Sequence, residues 1–151
     1  MTQKTEQNKT QNNAIYWDSS ALIKRYVTEE HSDSVRSNFK KSSLHFTSTI
    51  SHAEVLASFS RLKREGYISQ DELQKISLSF LADWNNLYVV QYSDGPQAIA
   101  QTISSNVSAR GMDLIHLTSA LHLQNEGLEI EFISFDIRLN NAAKDLKLTT
   151  L

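Results

Sequence analysis

Residues 113–136 read DLIHLTSALHLQNEGLEIEFISFD. Leu114, Ile115, Leu117, Ala120, Leu121 and Leu123 leave little polar surface on a helix over 113–124, and a helix apolar nearly all round is a buried one. Gly127 ends it, and the apolar run 130–135 follows as a strand that stops at Asp136. Reading outward from this pair, a last helix over about 138–145 and a short strand over 146–150 close the chain. Toward the N-terminus, a helix opens at Gly95-Pro96, with Pro96 read at its first position, where the missing N–H costs nothing. A strand over 87–92 precedes it. Two helical stripes come before that: Val55, Leu56, Phe59 and Leu62, closed by Gly66, then Leu73, Ile76, Phe80, Leu81 and Trp84. Strands over 15–17 and 44–49 and helical segments around Leu22–Val27 and 30–40 complete the series. Strands alternating with helices predict an α/β fold, a central parallel sheet of four or five strands with helices on both faces.

Composition narrows the chemistry. The 151 residues include 40% hydrophobic positions and no cysteine, so disulfides, thiol catalysis and Cys-based metal sites are excluded. Fifteen basic and seventeen acidic side chains leave a formal charge of −2, so a nucleic-acid partner must be held by local patches or metal ions. Residues 1–13 are almost entirely polar and are expected to form a mobile tail ahead of a single domain over 14–151. No apolar run approaches the ~20 residues of a membrane-spanning helix, so no membrane is expected and a cytoplasmic location is.

In open parallel sheets, ligands bind beyond the carboxyl ends of the strands. Asp18 ends the first predicted strand, Asp136 ends that over 130–135, and Glu54 falls in the first turn of the helix after 44–49. Asp113 opens the buried helix. Each acid has a plain alternative: Asp18, Asp113 and Asp136 suit helix N-caps, and Ser51-x-x-Glu54 has capping-box spacing. Ser69-x-x-Glu72 shares that spacing with no strand before it and serves as an internal control. If the four acids converge, two carboxylates ~4 Å apart repel by about 4 kcal/mol at an effective dielectric near 20. Such a cluster calls for a hard cation, Mg²⁺ or Mn²⁺, and for phosphoryl chemistry.

The motif Ile15-Tyr16-Trp17-Asp18-Ser19-Ser20-Ala21-Leu22-Ile23-Lys24 resembles the opening of the PIN-domain ribonucleases. Ser51-His52-Ala53-Glu54-Val55, Arg110-Gly111-Met112-Asp113-Leu114-Ile115-His116-Leu117 and Ile133-Ser134-Phe135-Asp136-Ile137-Arg138-Leu139 resemble that family's later acidic sites, in its order. The resemblance is strongest to the toxin half of VapBC-type toxin–antitoxin pairs. It implies a Mg²⁺- or Mn²⁺-dependent endoribonuclease, with Asp18, Glu54 and Asp113 as the principal metal-binding acids and Asp136 completing the cluster. Ser20 and Ser134 would hydrogen-bond the acids or the attacking water; Ser134 stands where Thr is more usual. The implied partners are RNA, a VapB-type antitoxin reaching the acids with an Arg, and a second copy in a homodimer, to which Tyr26, Val27 and Phe59 contribute unless they belong to the core.

Among cations, Lys24 and Arg110 are the candidates for RNA phosphates, whereas Arg61, Lys63 and Arg64 read as a solvated helix face. His116 is expected to pack or hydrogen-bond, the other histidines to be surface or packing residues, and Trp17 and Trp84 to be core. Two other readings stand beside the nuclease. One is an inactive PIN-like scaffold that binds RNA or protein. The other is aspartyl-phosphate transfer, disfavoured because Ser20 occupies the place where a haloacid-dehalogenase-like site needs its second acid.

Overall fold

The computed structural model describes residues 14–151, so the predicted tail over 1–13 lies outside the described residues. Elements alternate as β1 (Ala14–Trp17), α1 (Ser19–Tyr26), α2 (Ser32–Lys41), β2 (Leu44–Ser48), α3 (Ile50–Arg64), α4 (Gln70–Trp84) and β3 (Tyr88–Val90). Then follow α5 (Asp94–Ile103), α6 (Gly111–Asn125), β4 (Ile130–Ile133), α7 (Ile137–Asp145) and β5 (Thr149–Thr150). The strands form one five-stranded sheet in the order β3-β2-β1-β4-β5, every pairing parallel. Successive strands therefore run outward in one direction from β1 to β3, and the chain returns to the other side of β1 for β4. That reversal puts a crevice between the carboxyl ends of β1 and β4, the place where doubly wound sheets bind ligands.

Side chains of a strand alternate between faces, and β1 shows the consequence. Ala14 and Tyr16 join a core with Phe46, Leu117, Phe132, Leu139 and Ala143, roofed by α6 and α7. Ile15 and Trp17 join an opposite core with Leu22, Val35, Val55, Phe59 and Phe80, roofed by α1 to α4. With both faces covered, β1 is buried along its whole length. Phe59 is fully buried in this second core and cannot reach a partner, while Tyr26 and Val27 remain partly exposed beside it.

Several predicted boundaries shift. The strand over 130–135 pairs only through Ile133, because beyond it the Ser134 and Phe135 backbone leaves the ladder for side-chain partners described below. Pro96 is the third residue of α5, not the first, which costs no bond because the first four helical N–H groups have no intrahelical partner. The strand over 146–150 shrinks to Thr149–Thr150, since Lys147 turns the chain with a φ of +64°. Among the described residues, no helix is long and apolar enough to cross a membrane.

Candidate active site

Asp18 follows β1 and caps α1. Its Oδ2 accepts from Ser20 Oγ at 2.5 Å, Ser20 N at 3.3 Å and Ser134 Oγ at 2.9 Å. The β1–β4 pairing places Ser134 there: Asp18 N donates to the Ile133 carbonyl at 3.0 Å, continuing the ladder one step past the strand ends. Ser134 Oγ in turn accepts from Asp136 N at 3.1 Å, and Ser20 Oγ accepts from Phe135 N at 3.0 Å. Two hydroxyls thus hold a 5% exposed carboxylate in one rotamer at the switch point of the sheet.

Glu54 arrives from the other side. Thr49, not Ser51, occupies the N-cap of α3, so Ser51-x-x-Glu54 forms no capping box. Ser51 is fully buried, 2.7 Å from Thr47 Oγ1 and 3.2 Å from Ser19 Oγ. Glu54 Oε2 instead bonds Ser19 Oγ and, at 2.9 Å, His116 Nε2. The same imidazole nitrogen stands 3.3 Å from Asp18 Oδ1, and His116 Nδ1 is 3.0 Å from the Tyr16 hydroxyl. His116 is therefore a buried bridge between the two acids, supplied by α6 from across the sheet. Burial by itself would lower its pKa, but the Glu54 hydrogen bond and the charges of Asp18, Glu54 and Asp113 prevail and raise it above 6.5. Glu54 is pushed up by burial and more strongly down by its bonds from His116 and Ser19, ending below 4.5. An imidazolium paired with an ionised Glu54 is the consistent assignment.

The other two acids flank this pair. Asp113 is not an N-cap: it is the third residue of α6, its Oδ2 3.4 Å from Arg110 N and its position one turn before His116 on the same helix. It shares a cleft of about 660 Å³ with Glu54, Tyr92, Arg110 and Met112. Asp136 caps α7, its Oδ1 accepting from Arg138 N and Leu139 N at 2.8 and 3.2 Å. Among the described residues, no three His, Cys, Asp or Glu side chains stand where one ion could be held by all of them. The expected four-carboxylate nest is thus a bridged pair with two flanking acids, because hydroxyls, the imidazole and helix N–H groups engage the inward oxygens and like charges repel. The donor chemistry still suits Mg²⁺ or Mn²⁺: the acids offer only oxygen, and among the described residues Glu54 Oε1 and Asp136 Oδ2 accept no hydrogen bond.

The family model of the PIN domain matches residues 15–145. The chain belongs to the PIN-domain family. No curated protein sequence matches it significantly. Among solved structures it is similar to the sarcin–ricin-loop-cleaving toxin VapC20 of Mycobacterium tuberculosis, with a TM-score of 0.59 and 13% identity over 85% of this chain and 95% of that one. At such identity the likeness speaks for the fold, and the four acids of this PIN domain stand on their own geometry.

The cations divide. Lys24 Nζ is engaged by Glu29 Oε1 at 3.1 Å and the Glu30 carbonyl at 3.0 Å, its side chain only 13% exposed. Arg110 is exposed and lines both clefts that hold Asp113. Arg61, Lys63 and Arg64 belong to the last turn of α3, where they suit the negative end of the helix. Sequence reasoning missed Ser19 and Tyr16. The available signal was the spacing Asp113-x-x-His116, which puts a histidine one turn behind an acid on one helix face.

Proposed function

We propose that this PIN-domain protein is a Mg²⁺- or Mn²⁺-dependent endoribonuclease, the toxin of a VapBC-type toxin–antitoxin pair. One observation carries the reading: Glu54, the fifth residue of α3, turns to meet Asp18 across His116. A cap acid would satisfy the backbone; this one is spent on a second carboxylate, which is costly unless the negative charge has a use. The described likeness to a toxin that cleaves the sarcin–ricin loop supports RNA as the substrate class.

Asp18, Glu54, Asp113 and Asp136 would hold the divalent ion, which when bound supplies Lewis acidity toward a phosphate oxygen and an attacking water. The chain's own residues do the positioning. Ser20 and Ser134 fix the Asp18 carboxylate, and Ser19 fixes that of Glu54. His116 favours the ionised form of Glu54, with a proton on Nε2 facing it, and stands beside Asp18. Arg110 offers a phosphate contact beside Asp113, and Lys24 serves the nearby loop. A VapB-type antitoxin would present an Arg to the same acids as a bidentate partner. The protein would work in the cytoplasm, with a homodimer contact through the partly exposed Tyr26 and Val27 rather than Phe59.

Digestion of total RNA with added Mg²⁺ or Mn²⁺ tests the proposal. The wild type cuts, and Asp18→Asn loses cleavage by at least about a hundredfold, the scale of a lost electrostatic contact to the transition state, while keeping its circular dichroism spectrum. Cleavage by Asp18→Asn at the wild-type rate would refute the assignment. The lack of a closed triad of acids among the described residues favours a second reading, a PIN-like RNA-binding scaffold without turnover. RNA bound but left intact by the wild type at saturating Mn²⁺ would select it.

A further inference from the structure

Phe135 lies between two residues of the acidic edge, Ser134 and Asp136, and its own N–H is tied to Ser20 Oγ. The ring of His31 lies flat against it, centroids 5.0 Å apart and planes 11° from parallel. Lys24 Nζ stands 5.0 Å from the Phe135 centroid. The loop carrying His31 is bound down at every step. Lys24 holds Glu29 and Glu30, Ser32 Oγ donates to the Val27 carbonyl at 2.8 Å, and Arg36 Nη2 donates to Thr28 Oγ1 at 3.2 Å.

His31 itself adopts φ +69°, a left-handed conformation unfavourable for a residue with a side chain. The strain yields neither a helix cap nor burial. His31 occupies the N-cap of α2 without a side-chain cap bond, and its side chain remains 51% exposed. Glycine or asparagine would make this turn more easily. What the histidine adds is a flat ring stacked on Phe135 with half of its side chain open to solvent. Its Nε2, 3.5 Å from Glu30 Oε1, occupies the ring edge.

We propose that His31, stacked on Phe135, is a base-stacking platform that receives a nucleobase flanking the phosphate to be cut at the Asp18–Glu54 edge. The inference rests on the nuclease reading and adds to it the residue on which an unstacked base would lie, since such bases pack against planar side chains. Specificity for one base is not demanded, since every base has a stacking face.

The test begins with the site cut by the wild type in total RNA. A single-stranded oligoribonucleotide spanning that site, with 2-aminopurine beside the cut, is titrated into the Asp18→Asn protein. Stacking quenches the probe. Adding His31→Ala should weaken binding about tenfold, the scale of one lost base–aromatic stack, and abolish the quench, and His31→Tyr should restore both. His31→Gly separates this role from a structural one: it relieves the backbone, so the protein should melt no lower than its parent while binding as poorly as His31→Ala. Unchanged affinity and quenching in His31→Ala, in a protein whose parent cuts RNA, would overturn the platform alone. A wild type that neither cuts nor binds RNA would overturn the nuclease reading, and the platform with it.

Discussion

The indole of Trp17 is wholly buried, and a buried N–H must find an acceptor. It finds His45 Nδ1 at 3.1 Å, which demands an unprotonated nitrogen. Phe39 stacks on both rings, at 4.2 Å from Trp17 and 4.5 Å from His45. Burial first, and the charge of Arg25 after it, push the His45 pKa below 6.5, against opposing bonds to the Phe39 and Ser42 backbone. The unfolded chain therefore takes up a proton near pH 6.5 that the native state refuses, and native stability contributed by His45 is lost as pH falls through its lowered value. In urea melts run from about pH 8 down to about pH 5.5, the wild type should lose more stability than His45→Gln, whose amide oxygen still accepts from Trp17. Equal losses in the two proteins would show that His45 does not titrate against the fold. His45 was legible in the sequence only as a packing residue, because nothing local in residues 44–48 announces a tryptophan 28 positions earlier in the chain.

At the level of elements, one spacing has two outcomes. Ser69 Oγ accepts from Glu72 N at 3.1 Å while Glu72 Oε2 accepts from Ser69 N at 2.7 Å, a complete capping box at the start of α4. Ser51 and Glu54 share the pattern, yet the N-cap of α3 is Thr49, two residues earlier, and both side chains turn into the molecule. Ser69→Ala should cost ~1 kcal/mol in chemical denaturation, as loss of an N-cap does, and leave RNA cleavage at the wild-type rate. Glu54→Gln should instead abolish cleavage while the protein keeps a folded circular dichroism spectrum and melts lower for want of the His116 pair. Cleavage by Glu54→Gln, or its loss in Ser69→Ala, would mean that the roles of the two helix starts have been exchanged. Element type was readable because the apolar periodicities are strong; element ends were not. Phe135 continues an apolar run, but whether it pairs depends on the hydroxyl of Ser20, which takes its N–H from 115 positions earlier in the chain. Asp113 suffered likewise: the helix starts at Gly111, so the acid moves from cap to first turn and gains a place in the cleft beside Glu54.

In the whole molecule, the site joins what the sheet separates. Tyr16 belongs to the core under α6 and α7, and Trp17 to the core under α1 to α4. Asp18 comes next in the chain, at the edge where those layers meet, with Glu54 from α3 and His116 from α6 closing on it. The parallel sheet was implicit in the alternation of elements, but its order, with β1 central and β4 beside it, comes from the structure. The acidic partners of His116 were not legible, since they come from segments 62 and 98 residues away (Glu54 and Asp18) in the chain and depend on that order. Because the acids come from four separate segments, an ion bound by them should be bound by the native state alone, and its binding free energy becomes folding free energy. At about a hundred times its Kd, Mn²⁺ should add ~2.7 kcal/mol, which for a domain of this size is a rise in Tm of roughly 5–10 °C. Chelation should return the melting curve to its starting point, and Asp18→Asn should show little of the rise. A wild type whose Tm ignores Mn²⁺ while its RNA cleavage survives chelation would detach the acids from metal binding and leave the imidazolium of His116 as their only counter-charge.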